Sequence, residues 1–184
     1  MERSEFLKRA GVGSLALAAL GASADAAWAH DDDQDARRFY FTALSGQAAT
    51  LTGGDSIAMA GCGRFSHGEA DGGGEFVHFD GKTIPSSSFI GTGNWRATHL
   101  ISFREVGTWG VAVAGVALLG IKLLPCDGHA IRGATLEIVC NLGPAGISTG
   151  LTEGYTLTVP GMAPFKAFTP NIGLTLFTRR CPDD

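Results

Sequence analysis

Helical periodicity is almost missing from this 184-residue sequence. Beyond the first thirty residues few apolar side chains recur at three- and four-residue steps, which argues against a helical bundle or an alternating α/β fold. A clustered positive face is missing too. Lys and Arg number 14 against 18 Asp and Glu, so nucleic acid, whose phosphates demand basic clusters, is not an expected partner. None of the four cysteines, Cys62, Cys126, Cys140 and Cys181, stands three positions from another as Cys-x-x-Cys sites require, and no histidine pair completes a set; the common zinc motifs are therefore excluded. No glycine run leads into Gly-Lys-Ser or Gly-Lys-Thr, which excludes a phosphate loop. No metal and no cofactor is expected on these grounds, and no residue reaches a recognisable catalytic arrangement.

What is present begins with a three-zone leader. A charged stretch runs from Glu2 to Arg9, a small-residue apolar stretch from Gly11 to Leu20, and a tail ends in Ala27-Trp28-Ala29. That is the plan of a cleavable signal peptide, and its apolar core falls short of the roughly 20 residues a membrane span needs. Residues 1–29 are expected to be removed, leaving His30 as the amino terminus and no stable membrane insertion. Within the leader, Arg3-Ser4-Glu5-Phe6-Leu7-Lys8 resembles the twin-arginine export signal, with Ser4 where the second arginine belongs. The resemblance implies export of an already folded protein; the general secretory route is the alternative. Either route implies a secreted, periplasmic or envelope location.

The leader holds three basic and three acidic residues, so 14 and 18 fall to 11 and 15, and the exported part keeps a net charge of −4. Residues 30–37, with Asp31, Asp32, Asp33 and Asp35, read as a disordered acidic tail. Residues 38–184 are of a length for one hydrophobic core and one domain. In an oxidising compartment an even count of cysteines favours disulfides. A bridge between Cys126 and Cys140, which flank a short connection in the sequence, is the expected one, leaving Cys62 and Cys181 to pair or stay free. The alternative for Cys140, at the end of Leu136-Glu137-Ile138-Val139, is a small buried hydrophobe.

Period-two patterning fills the rest of the chain. Alternating runs at 39–43, 56–65, 75–80, 94–104, 134–140, 155–159 and 173–178 predict half-buried strands bounded by turn residues. Residues 111–124 are apolar on both faces until Lys122 and predict a central strand buried on both sides or folded around a bend, with a buried helix as the alternative. Glycine, at 27 residues, falls inside strands as well as turns, where it marks bulges, bends and close backbone approach. An all-β fold follows, a single antiparallel β-barrel of about eight strands, with a two-sheet β-sandwich as the alternative. The glycine-rich meander is similar to barrels of the dirigent and allene oxide cyclase kind, and that resemblance implies isomerase or cyclase chemistry on an apolar small molecule.

Four candidate sites emerge. Gly146-Ile147-Ser148-Thr149-Gly150 has the form of the serine-hydrolase elbow, but a strand follows it instead of a helix, and the last histidine is His129. The segment 66–75 with His67, Glu69, Asp71 and Glu75, and His78 and Asp80 beyond it, lacks the spacing of a calcium loop and reads as a mobile polar hairpin loop. His30, as a mature amino terminus, resembles the copper-binding histidine of the exported copper oxygenases of polysaccharide breakdown; the adjacent aspartates suggest a tail instead. Finally, the alternation over 94–104 puts Trp95, His99 and Phe103 on one face and Arg96 and Arg104 on the other. If a barrel interior is hollow, these three would line it; if filled, they are core. The expectation is an exported non-enzymatic binding or structural domain. A barrel enzyme using His99 as acid or base ranks below it, and a copper or calcium protein third.

Overall fold

Every alternating run forms a strand in the structure, a computed structural model that describes residues 36–47, 54–81 and 89–179. The leader, the cleavage site, His30, the acidic stretch to Asp35 and Cys181 lie outside the described residues. The strands are β1 (Arg37–Gly46), β2 (Ser56–Ser66), β3 (Glu69–Phe79), β4 (Phe89–Trp109), β5 (Ala112–Pro125), β6 (Ile131–Cys140), β7 (Gly154–Thr158) and β8 (Lys166–Arg179). Among the described residues the one helical piece is a single 3-10 turn at Gly143–Ala145. β1 begins one residue inside the stretch expected to be tail.

The strands make one antiparallel sheet in the order β4-β3-β2-β1-β8-β5-β6-β7, and β4 pairs again with β5. The sheet therefore closes partly into a ring. β5 is its busiest member: one edge carries β4, and the other carries β6 along Gly115–Leu123 and β8 at Ala112 and Val113. The odd-numbered residues of β5 from Val113 to Leu123 are buried, whereas Val116, Leu118, Lys122 and Leu124 on the other face are half-buried; the stretch is one central strand, and the helix alternative is excluded. A sandwich of two separate sheets is likewise not what forms.

Odd-numbered residues of β1 and β2, even-numbered residues of β3, and odd-numbered residues of β5 point inward. Phe39, Phe41, Ile57, Met59, Phe76, Leu119, Ile121, Leu136, Ile138, Leu157 and Phe177 are all buried there. The inner face of β2 carries two glycines among these apolar residues, and packing explains them. A Cβ on Gly61 would stand 2.2 Å from Cζ2 of Trp95, and one on Gly63 would stand 2.5 Å from Cζ of Phe39. The glycines leave room for aromatic rings to lie directly on the backbone.

The β2–β3 connection corrects one expectation. Its turn is only His67 and Gly68, both with positive φ (46° and 88°), as two-residue hairpins with matched twist require. Glu69, Asp71 and Glu75 belong to β3, where register with β2 spaces them along the outer face, so the segment is ladder and not a long polar loop.

Candidate functional site

The three residues expected to line an interior do not share a face. Trp95 is 1% exposed. Its indole N–H crosses the glycines of β3 to donate to the Ala60 carbonyl on β2 at 3.1 Å, and its ring lies 6.3 Å from Phe39 and 5.6 Å from Phe41. Phe103 also points inward, 4.8 Å from Phe65 and 5.6 Å from Phe177 between ring centroids. His99 is exposed. Its Nδ1 is 3.0 Å from the Thr98 hydroxyl, and its ring lies over Gly120 on the outer face of β5.

Bulges separate them. The β4–β5 register slips between Ala97 and His99, between Leu100 and Ser102, and between Glu105 and Gly107. Each extra residue on β4 reverses which side chains face in. Trp95, Ala97, Leu100 and Phe103 consequently oppose the inward Leu123, Ile121, Leu119 and Ala117, while Ile101, which alternation places inside, is exposed. Arg96 and Arg104 are exposed, as alternation predicts.

The interior carries a continuous aromatic stack. Phe39 contacts Phe65 and Trp95, Phe41 contacts Trp95 and Tyr155, and Phe65 links Phe39 to Phe103 and Phe177. Tyr155 is fully buried; its hydroxyl donates to the Ile57 carbonyl, and its own carbonyl accepts from Ser45 Oγ at 2.7 Å. Burial pushes the phenol far above its ordinary pKa, the Ser45 hydrogen bonds opposing only in part.

Polar groups gather at the two ends of this stack. At one end, Glu105 accepts from Arg37 at 3.4 Å and from Arg179, tying β4 to β1 and β8. At the other, His78 Nε2 lies 3.1 Å from Asp55 Oδ2, with the His78 ring edge-on to Phe165 at 5.6 Å. His78 sits at an inward register position, opposite Ile57. Its place two residues after Phe76 in an alternating run carries that signal in the sequence, where grouping it with the acidic residues nearby hides it. Asp55 has no sequence signal, because only the fold brings it across. Among the described residues no group of three or more His, Cys, Asp or Glu is arranged to hold a metal ion.

The expected Cys126–Cys140 bridge is overturned. Cys126 is exposed just after β5, Cys140 is buried at the far end of β6, and both are free thiols, as is Cys62. Ten residues of extended strand separate the two by roughly 30 Å, whereas a disulfide needs Cα atoms within about 7 Å. Cys140 is the small buried hydrophobe of the alternative reading, its Sγ donating to the Thr175 carbonyl at 3.5 Å. Burial, chiefly, raises its pKa and keeps the thiol protonated; burial also raises that of Cys62. In the 146–150 loop, Ser148 Oγ accepts the Gly150 N–H at 3.1 Å and Thr149 is held by Asn141 Oδ1. β7 follows, so the loop is a turn without elbow geometry. The chain matches no protein-family model, no curated protein and no solved structure.

Proposed function

We propose that this chain is an exported, non-enzymatic domain, an eight-stranded β-barrel whose interior is filled and whose binding is done by its surface. The aromatic stack from Tyr155 through Phe41, Trp95, Phe39 and Phe65 to Phe103 and Phe177 carries this reading. A barrel of about eight strands has an interior just wide enough for side chains or for one small ligand, and here side chains stack on one another along it. The three-zone leader supports export, which amino-terminal sequencing of the secreted product tests through a start at His30. The central experiment is a thermal melt of wild type and Phe103→Ala with and without a panel of apolar ligands. A filled interior loses about 3–5 kcal/mol on that truncation and shows no ligand-dependent shift. An apolar ligand that raises the wild-type melting temperature and loses its grip in Phe103→Ala would overturn the reading.

One observation favours a second reading, the small barrel enzyme. The inward His78, oriented by Asp55 beside Phe165, is a carboxylate-positioned imidazole at a mouth of the stack, the pairing that general acid–base chemistry uses. In this reading His78 takes the role that the sequence suggested for His99. Shifts of the His78 ring resonances on titration with apolar carbonyl compounds would support it, and their absence would remove it.

A further inference from the structure

In an antiparallel sheet with one face on a core, the outer face should be polar. β1, β2 and β8 break that rule. On the outer face of β8 stand Ile172, Leu174 and Leu176; Leu174 is 61% exposed and Ile172 39%. β1, between β8 and β2, presents Tyr40, Thr42 and Leu44, with Tyr40 at 41%. β2 presents Ala58, Ala60 and Cys62, all half-buried. The pairing registers align these in rows: Ala60, Thr42 and Leu174 in the middle, Cys62, Tyr40 and Leu176 on one side, Ala58, Leu44 and Ile172 on the other. Across these three strands no row contains a charge; on β3 the exposed Glu75 continues the middle row beside Ala60 and marks the rim of the patch. Arg38 and Arg64 stand one row beyond, at the edge.

We propose that this face is where a second copy of the chain docks, about a two-fold axis lying in the interface parallel to β1. The shape of the face selects that occupant. β8 is a ridge of large aliphatic side chains, β2 is a trough of small ones, and β1 lies midway. Rotation by a half turn about an axis along β1 exchanges the two sides while keeping the rows, so the β8 ridge of each copy falls on the β2 trough of the other and Leu174 meets Ala60. Rotation about the perpendicular in-plane axis would set ridge against ridge. An isologous contact of this kind is self-complementary by construction, and an uncharged patch meets its own copy without like-charge repulsion. With strands about 4.8 Å apart and outward residues about 6.8 Å apart, the face covers roughly 14 by 20 Å, or about 300 Å². That is well under the roughly 800 Å² per partner of standard interfaces, so the association is weak and concentration-dependent. The inference stands apart from whether the interior is filled or hollow.

Sedimentation velocity of the full chain from about 1 to 100 μM, spanning the micromolar dissociation range, tests it. Wild type should shift from monomer toward dimer with concentration. Leu174→Asp and Ala60→Arg should each remain monomeric with unchanged circular dichroism. An equimolar mixture of the two should recover dimer, because the carboxylate introduced on β8 of one copy then meets the guanidinium introduced on β2 of the other. A wild type that stays monomeric throughout, a dimer that Leu174→Asp leaves intact, or a mixture that stays monomeric would each overturn the proposal. So would binding of monomer to phosphatidylcholine vesicles without self-association, which would assign the face to a lipid surface.

Discussion

Replacing Gly61 by alanine adds one methyl group to the floor beneath Trp95, and the geometry sets its effect. The new Cβ would lie 2.2 Å from Cζ2 and 2.9 Å from Cε2 of the indole, and 2.7 Å from the Gly73 carbonyl oxygen. Carbon atoms in good contact sit about 3.5–4.0 Å apart, so the ring must retreat by more than about 1 Å. It has nowhere easy to go, since Phe39 and Phe41 stack on it and its N–H is held by Ala60. Overpacking of this kind costs about 1–3 kcal/mol, and losing the indole hydrogen bond adds about 1 kcal/mol. Gly61→Ala is therefore expected to destabilise by about 2–4 kcal/mol, read from urea unfolding followed by circular dichroism. Trp95→Leu alone should cost about 2–4 kcal/mol as a partial cavity. The double variant should be less destabilised than the sum by about 1–2 kcal/mol, rescue staying incomplete because the Gly73 carbonyl remains. Gly91, whose added Cβ would meet nothing within 4 Å, is the control, and Gly91→Ala should be neutral or stabilising by under about 1 kcal/mol. A Gly61→Ala chain as stable as wild type, or strict additivity with Trp95→Leu, would refute the packing argument.

Tyr155→Phe should destabilise by about 1–2 kcal/mol, because the Ile57 carbonyl loses its buried donor. The same variant tests linkage: burial raises the Tyr155 phenol above its ordinary value, so above about pH 10 the unfolded chain loses a proton that the folded one keeps. Stability then falls as pH rises through that region, and alkaline unfolding curves should show a shallower fall in Tyr155→Phe. Alkylation of the folded protein followed by mass spectrometry should label the exposed Cys126 quickly and Cys140 only after denaturation; a peptide linked through Cys126 and Cys140 would contradict the placement of both.

The strands were legible because an alternating run marks extended chain with one face on a core; that places seven of the eight, and in all of these but β4 it also gives the buried face. β5 was legible as a strand from its length and its interrupting glycines, but its apolar run overstated its burial: Val113 to Leu123 are buried at odd positions, while Val116, Leu118 and Leu124 on the other face are only half-buried. The glycines signalled close approach, yet which ring approaches Gly61 depends on β4 reaching across β3, a distance in sequence no local pattern carries. Cys126 and Cys140 show the same limit. Their separation in the chain resembles a short connection, but most of it is β6 itself, and an extended strand holds its ends apart.

β4 is where local reading and closure of the sheet conflict. Alternation over 94–104 has one break, at Leu100, and discounting that break puts His99 and Ile101 inside. The break is instead the signal. Inward positions on β4 run Trp95, Ala97, Leu100 and Phe103, moving from two-residue to three-residue steps once the bulges begin. Bulges raise the local twist and bend the strand that carries them, and β4 is the strand that must leave the β3 ladder at Gly73 and follow β5 through to Ala112 for the sheet to come round. The curvature that brings Phe103 onto Phe65 and Phe177 is thus the same feature that turns His99 out over Gly120. A titratable residue on an apolar face marks a site only while the phase of its strand is kept, and in a sheet this curved the phase is spent on closing it.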